Sequence, residues 1–373
     1  MPGLDITHPK NKGASYSIFL KCALAALVAV LAQPVAGHAE WPPLRNQSSP
    51  VQSSLLQSSQ AQPEAAQAPA PKPSSAATTT PAIQQQQPQD NGTFVIRKDV
   101  DEVMLHATVV DDRQRIVTDL DRAAFSVYED GKPQTIISFH HEDIPVAMGI
   151  VIDNSGSMRE KRAKVNQAAL NLVRSSNPQD EVFVVNFNDE YYLDQDFTND
   201  LLLLKEALEK IDARGGTALY EAVVASADHL KRDARLERKV LFVVTDGEDN
   251  ASRETLEQAV KQLQEENGPS VYAIGILGDE EHPKRAKRAL EIITQRTGGL
   301  AFFPKTLDEV DEISRQVAHD IRNQYTIGYK PTNPKGSGGF RTIRVEAKAK
   351  GHGKMVVRTK SGYYATQTVA GTK

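Results

Sequence analysis

Apolar positions along the chain fall into three regimes of different period. Over residues 103–110, Val103, Leu105, Ala107 and Val109 alternate with Met104, His106, Thr108 and Val110, the period-two pattern of a strand. Residues 125–129 and 135–139 read as further short strands around the turn Asp130-Gly131-Lys132-Pro133, where Gly131 can take a positive φ. From Pro145 the alternation gives way to continuous apolar runs, each followed by helical periodicity. Residues 146–152, 181–187, 239–244 and 271–276 have the character of strands buried on both faces of a parallel sheet. Residues 191–197 read as an antiparallel companion strand, and 300–303 as a short strand. Helices are expected over about 158–175, 201–211, 218–230, 254–266 and 282–297. A last helix, opened by a capping box at Thr306-Leu307-Asp308-Glu309, reaches about Asn323. After Gln324 strands return over 325–330, and the runs 340–347 and 355–359 flank Lys350-Gly351-His352-Gly353 in the manner of a hairpin.

Strands alternating with helices imply an α/β fold: a Rossmann-like, mostly parallel central sheet with helices on both faces. N- and C-terminal β segments flank it, and their order suggests one β-sandwich from which the α/β part emerges as an insertion, its ends opposite the site described below. The expected divisions are an N-terminal β segment at 93–143, the α/β domain at 144–324, a C-terminal β segment at 325–366 and a disordered tail at 367–373. Residues 40–92 are rich in Pro, Gln, Ser and Ala, too poor in apolar groups to offset the entropy of ordering, and are expected to form a disordered linker. Residues 1–39 resemble an export signal: Lys10, Lys12 and Lys21 precede an apolar run from Cys22 to Ala32, followed by Pro34 and Gly37-His38-Ala39. That run is short for a membrane span, so the mature chain is expected to be secreted or periplasmic after cleavage near Ala39.

Composition narrows the chemistry. A net charge of −4 over 373 residues gives no general attraction to nucleic acid. The single cysteine, Cys22, falls inside the export signal, which removes disulfides, thiolate metal sites and cysteine nucleophiles from the mature chain. No Gly-x-Ser-x-Gly elbow, phosphate-binding loop or His-Glu-x-x-His occurs.

Ligand sites in open α/β sheets lie beyond the carboxyl ends of strands. Three such loops offer oxygen: Asp153-x-Ser155-x-Ser157, Gly215-Gly216-Thr217 and Thr245-Asp246-Gly247. Two carboxylates and three hydroxyls, without His or Cys, suit Mg²⁺ or Mn²⁺ better than Zn²⁺. Five side chains leave a sixth octahedral position for an outside oxygen, such as an Asp or Glu carboxylate of a protein partner. Thr217 has a blander reading as the N-cap of the following helix. His140-His141 has no third ligand in the pattern, and Lys284 to Arg288 reads as a solvated helix face.

These segments resemble the metal-ion-dependent adhesion site of von Willebrand factor type A domains. The matching positions are Asp153, Ser155, Ser157, Thr217 and Asp246, and the likeness spans roughly residues 145–323. The resemblance implies that the serines and Thr217 bind metal directly and that the aspartates often act through water. Residues 120–133, 328–334 and 360–365 are similar to the flanks of a secreted bacterial subtype, the VWFA-related acidobacterial-type proteins. The expected function is Mg²⁺-dependent protein binding of the adhesion type, without enzymatic activity. Two other readings remain: a structural subunit of an envelope or pilus assembly with a fold-stabilising metal, and a metal-dependent hydrolase. The hydrolase lacks a general base beside the metal unless Glu248 or Asp249 serves.

Overall fold

A computed structural model describes residues 102–366, apart from 211, 280, 281 and 334–336. The expected export signal, linker and C-terminal tail lie outside the described residues. In chain order the strands are β1 (Val103–Val110), β2 (Phe125–Glu129), β3 (Lys132–His140), β4 (Ala147–Asp153), β5 (Glu181–Phe187), β6 (Tyr191–Thr198) and β7 (Lys239–Thr245). They continue with β8 (Ser270–Gly275), β9 (Ala301–Phe302), β10 (Tyr325–Lys330), β11 (Phe340–Ala347), β12 (Val356–Arg358) and β13 (Gly362–Tyr364). The helices are α1 (Arg162–Ser175), α2 (Leu201–Glu209), α3 (Leu219–Asp233), α4 (Leu256–Leu263), α5 (Pro283–Thr297) and α6 (Glu309–Arg322).

The α/β part is a six-stranded sheet in the order β6-β5-β4-β7-β8-β9, parallel throughout except for antiparallel β6. All seven residues of central β4 are buried, as its unbroken apolar run requires. Its alternation divides them between two cores. Met148, Ile150 and Ile152 meet Val165 and Leu172 of α1, Leu204 and Leu208 of α2, and Val317 and Ile321 of α6. Ala147 and Val151 face the opposite layer, with Leu219 and Val223 of α3, Ala259 and Leu263 of α4, and Leu290 and Ile293 of α5.

The flanking segments form a second, antiparallel sheet in the order β12-β1-β10-β3-β2-β11-β13. Two expectations change here. The strands join edge to edge in one seven-stranded sheet curled around a single core, where two stacked sheets were expected. The expected hairpin of β11 and β12 does not form: β11 pairs with β2 and β13, while β12 crosses to pair with β1 at the far edge. Period-two alternation marks a strand but not its neighbour, and residues 348–355 are long enough to carry the chain across. The chain leaves this sheet after β3 and re-enters it at β10, which pairs directly with β3 (Thr326 opposite His140). The two ends of the α/β part therefore meet, with Arg322 and Asp143 ion-paired at 2.7 Å. Beneath them, buried Arg238 donates to Gln324 Oε1 at 2.7 Å, and Gln324 Nε2 donates to Tyr272 Oη at 2.8 Å and Thr108 Oγ1 at 3.3 Å, tying both sheets together.

Helix starts also differ from expectation. A 3₁₀ turn, Gly156–Met158, precedes α1. The capping box belongs to α4, through Thr255 and Gln258, whereas α6 begins at Glu309 with no side-chain cap from Asp308.

One buried polar cluster stiffens the curled sheet. Glu129 accepts from Tyr329 Oη (2.5 Å), Tyr363 Oη (3.1 Å) and Arg341 Nη1 (3.1 Å). Burial first, then the Glu129 carboxylate, holds both phenols well above their ordinary range. Removing one partner of a buried pair strands the other charge. Arg341→Met should therefore destabilise the protein by about 3–5 kcal/mol in urea unfolding. His106 on β1 is held neutral, its pKa pushed down to about 3 by burial and by the positive charges of Arg238 and Lys360. A depressed folded pKa stabilises above the unfolded value and loses that contribution as pH falls toward the folded one. Wild-type protein should thus lose stability between pH 6.5 and 4, and His106→Gln should lose less, as read by thermal melts across that range.

Candidate metal centre

β4 and β7 are parallel neighbours, with Ile152 opposite Val244, so their carboxyl ends open onto the same edge. Asp153 ends β4 and Thr245 ends β7. The Asp153 carboxylate is fully buried; Oδ1 accepts from the Ser155 N–H at 2.7 Å and Oδ2 from the Thr245 hydroxyl at 2.6 Å. Burial pushes its pKa up to about 6 against those hydrogen bonds, and the Asp246 charge adds to the rise.

The Asp-x-Ser-x-Ser spacing then sets the hydroxyls side by side. Ser155 Oγ lies 3.1 Å from Ser157 Oγ, and Ser157 donates to Asp246 Oδ1 at 2.8 Å. Between the serines, the Gly156 N–H donates to the Gly215 carbonyl at 3.2 Å, while the Arg214 N–H donates to the Asn154 carbonyl at 2.8 Å. Backbone bonds thus fasten the first loop to the second.

Gly215 has φ +75°, a conformation that favours glycine, and a Cβ there would run into the Asp189 carboxylate. Asp189 in turn accepts from the Gly216 N–H at 2.7 Å. Thr217 is buried at 3% exposure, and it does not cap α3. The N-cap is Ala218, while the N–H groups of Tyr220 and Glu221 are taken by Asp249 Oδ2 (2.8 Å) and Ser252 Oγ (3.1 Å). Asn250 completes the splint by accepting from the Thr217 N–H at 2.9 Å and donating its own N–H to the Thr217 carbonyl at 3.0 Å.

Four of the five expected residues therefore stand in one hydrogen-bonded chain, and Thr217 is joined to them through both neighbouring loops. Among the described residues no three His, Cys, Asp or Glu side chains gather as metal ligands. The donor set is two carboxylates with neutral hydroxyls, which fits a small, hard divalent cation. His141 stacks on Tyr325 with ring centres 4.3 Å apart, a packed aromatic contact. Lys284, Arg285, Lys287 and Arg288 are exposed around buried Ala286, a solvated helix face as expected.

Four contributors were not singled out by sequence reasoning: Thr245, Asp189, Asn250 and Lys161. Lys161 Nζ lies 2.6 Å from Asp246 Oδ2, with side chains only 11% and 1% exposed. A signal was present, because Lys161 interrupts the buried stripe of Met158, Val165 and Leu172 at helical spacing. Asp189 and Asn250 act on backbone groups of other loops, and no local spacing reveals that.

Residues 148–248 match the family model of the von Willebrand factor type A domain. That segment, from β4 to just beyond β7, is similar to a von Willebrand factor type A domain. Among solved structures it is similar to a von Willebrand factor type A protein from Catenulispora acidiphila, at 14% identity and TM-score 0.42, covering 72% of this chain and 74% of that one. The PilB minor pilin from Streptococcus sanguinis aligns at 14% identity and TM-score 0.41, over 48% of this chain and 62% of the pilin. Proximal thread matrix protein 1 of the mussel byssus, solved with a zinc-occupied MIDAS motif, aligns at 17% identity and TM-score 0.41, over 52% of this chain and 50% of that one. No curated protein matches the chain.

The Gly215 conformation gives a test of the loop joint. Gly215→Ala should cost about 1–3 kcal/mol in denaturant unfolding, from the positive φ and the displaced Asp189 together.

Proposed function

We propose that this chain is an exported, metal-dependent protein-binding module of the adhesion type. Asp153, Ser155, Ser157, Thr217 and Asp246 would hold Mg²⁺, with Mn²⁺ as a substitute. The observation that carries the reading is the run Ser155 Oγ–Ser157 Oγ–Asp246 Oδ1, at 3.1 and 2.8 Å, on the carboxyl edge of the parallel sheet. When bound, the ion supplies a positive charge on which an Asp or Glu of a protein partner completes the coordination. Export rests on the N-terminal signal pattern. The sequence likeness of the flanks to the secreted acidobacterial-type proteins supports the same reading.

The chain's own residues do the positioning. Thr245 and the Ser155 N–H orient Asp153, and Asn250 and Gly156 hold the Thr217 loop in register. The hydrolytic alternative gains nothing from the residues named for it. Asp249 is spent on the first turn of α3, and Glu248 faces His282 and Arg285 of α5 at 3.8 Å.

At a hundredfold excess over its dissociation constant, Mg²⁺ should stabilise wild-type protein by about 2.7 kcal/mol. Ser155→Ala and Asp153→Ala should lose that gain in thermal melts with and without EDTA. Capture of partners from the source's envelope fraction should likewise vanish in EDTA. Capture that persists in EDTA would sink the metal-dependent reading. Metal stabilisation without any metal-dependent capture would favour a structural subunit.

A further inference from the structure

Lys161 stands at the turn before α1, itself buried and bonded through its backbone to fully buried Met158 and Val165. The ammonium is delivered into the polar edge of the sheet, 2.6 Å from Asp246 Oδ2. The other oxygen of Asp246 accepts from Ser157 at 2.8 Å. A cation belonging to the chain thus already neutralises one of the two carboxylates from which the metal would be held. Resting on the proposed metal site, we infer that Lys161 is a tethered counter-ion that lowers the affinity of that site for divalent cations.

Charge and geometry both support this. Asp153 and Asp246 contribute −2 and Lys161 +1, so the site stands at −1 and a divalent ion brings it to +1; without the lysine the sum would be 0. The lysine therefore repels an incoming cation, and it leaves the loaded centre with the net positive charge that attracts a carboxylate. The ion pair also holds Asp246 in place, and burial keeps solvent from screening it. A surface lysine would do neither. The Ser157 hydroxyl can rotate its proton away from Asp246 to accept a metal, whereas Lys161 can only withdraw or remain as a like charge.

The experiment is calorimetric titration of Mn²⁺ into wild type, Lys161→Met and Lys161→Arg, with thermal melts of each in EDTA. Methionine fills the buried stem without charge, and arginine keeps the charge. Lys161→Met should bind Mn²⁺ on the order of tenfold more tightly, while Lys161→Arg stays near wild type. In EDTA the Lys161→Met protein should melt earlier than wild type, because Asp246 is left buried and unpaired, and Mn²⁺ should reverse the order. If the metal-free variant does not fold, recovery of its melt by Mn²⁺ supports the inference, and Lys161→Gln is read in the same way. Equal or weaker Mn²⁺ binding by folded Lys161→Met overturns the role of Lys161 and leaves the metal site standing. No Mn²⁺ binding by any of the proteins overturns both.

Discussion

A carboxylate cut off from water must be held by donors, and Asp153 imposes that requirement on the carboxyl edge of the sheet. It ends a strand whose every residue is buried, so its charge arrives where no solvent reaches. The neighbouring strand meets it with Thr245, and the chain turns back on itself so that the Ser155 N–H closes the other side. The turn that satisfies Asp153 is the same turn that lines up Ser155 and Ser157. Satisfying one buried acid and building a hydroxyl ligand set are a single structural event.

The rest of the edge is assembled by exchanges between loops. Asp189, on the loop after β5, supports Gly216, while Asn250 and Asp249, beyond β7, support Thr217 and α3. Each donor group is thus positioned by a residue from another crossover. Such mutual support makes a rigid edge, and rigidity is what a cation of fixed coordination geometry demands. Lys161, in the turn before α1, adds a charge of opposite sign.

The curled sheet carries a different constraint. It grips both ends of the α/β domain at the edge away from the candidate centre, through Asp143–Arg322 and the Arg238–Gln324–Tyr272 network. Because β3 and β10 are paired, the start of β4 and the end of α6 are held at one place in the fold. An inserted domain anchored in this way cannot shift its last helix without disturbing a buried polar network.

Much of this was legible in the residues. Unbroken apolar runs over 146–152, 181–187 and 239–244 pointed to buried parallel strands, because they are too short for helices and alternate with helical patterns. The spacing of Asp153, Ser155 and Ser157 and the distant Thr217 and Asp246 identified the candidate oxygens, since strand ends in such sheets share an edge. Only the tertiary structure decided the rest. It assigned β12 to β1 and not to β11, because alternation is silent about partners. It relieved Thr217 of capping α3, because Asp249 and Ser252 arrive from another loop. It also buried Lys161 against Asp246: these residues lie 85 positions apart, and only the fold brings their charges to 2.6 Å.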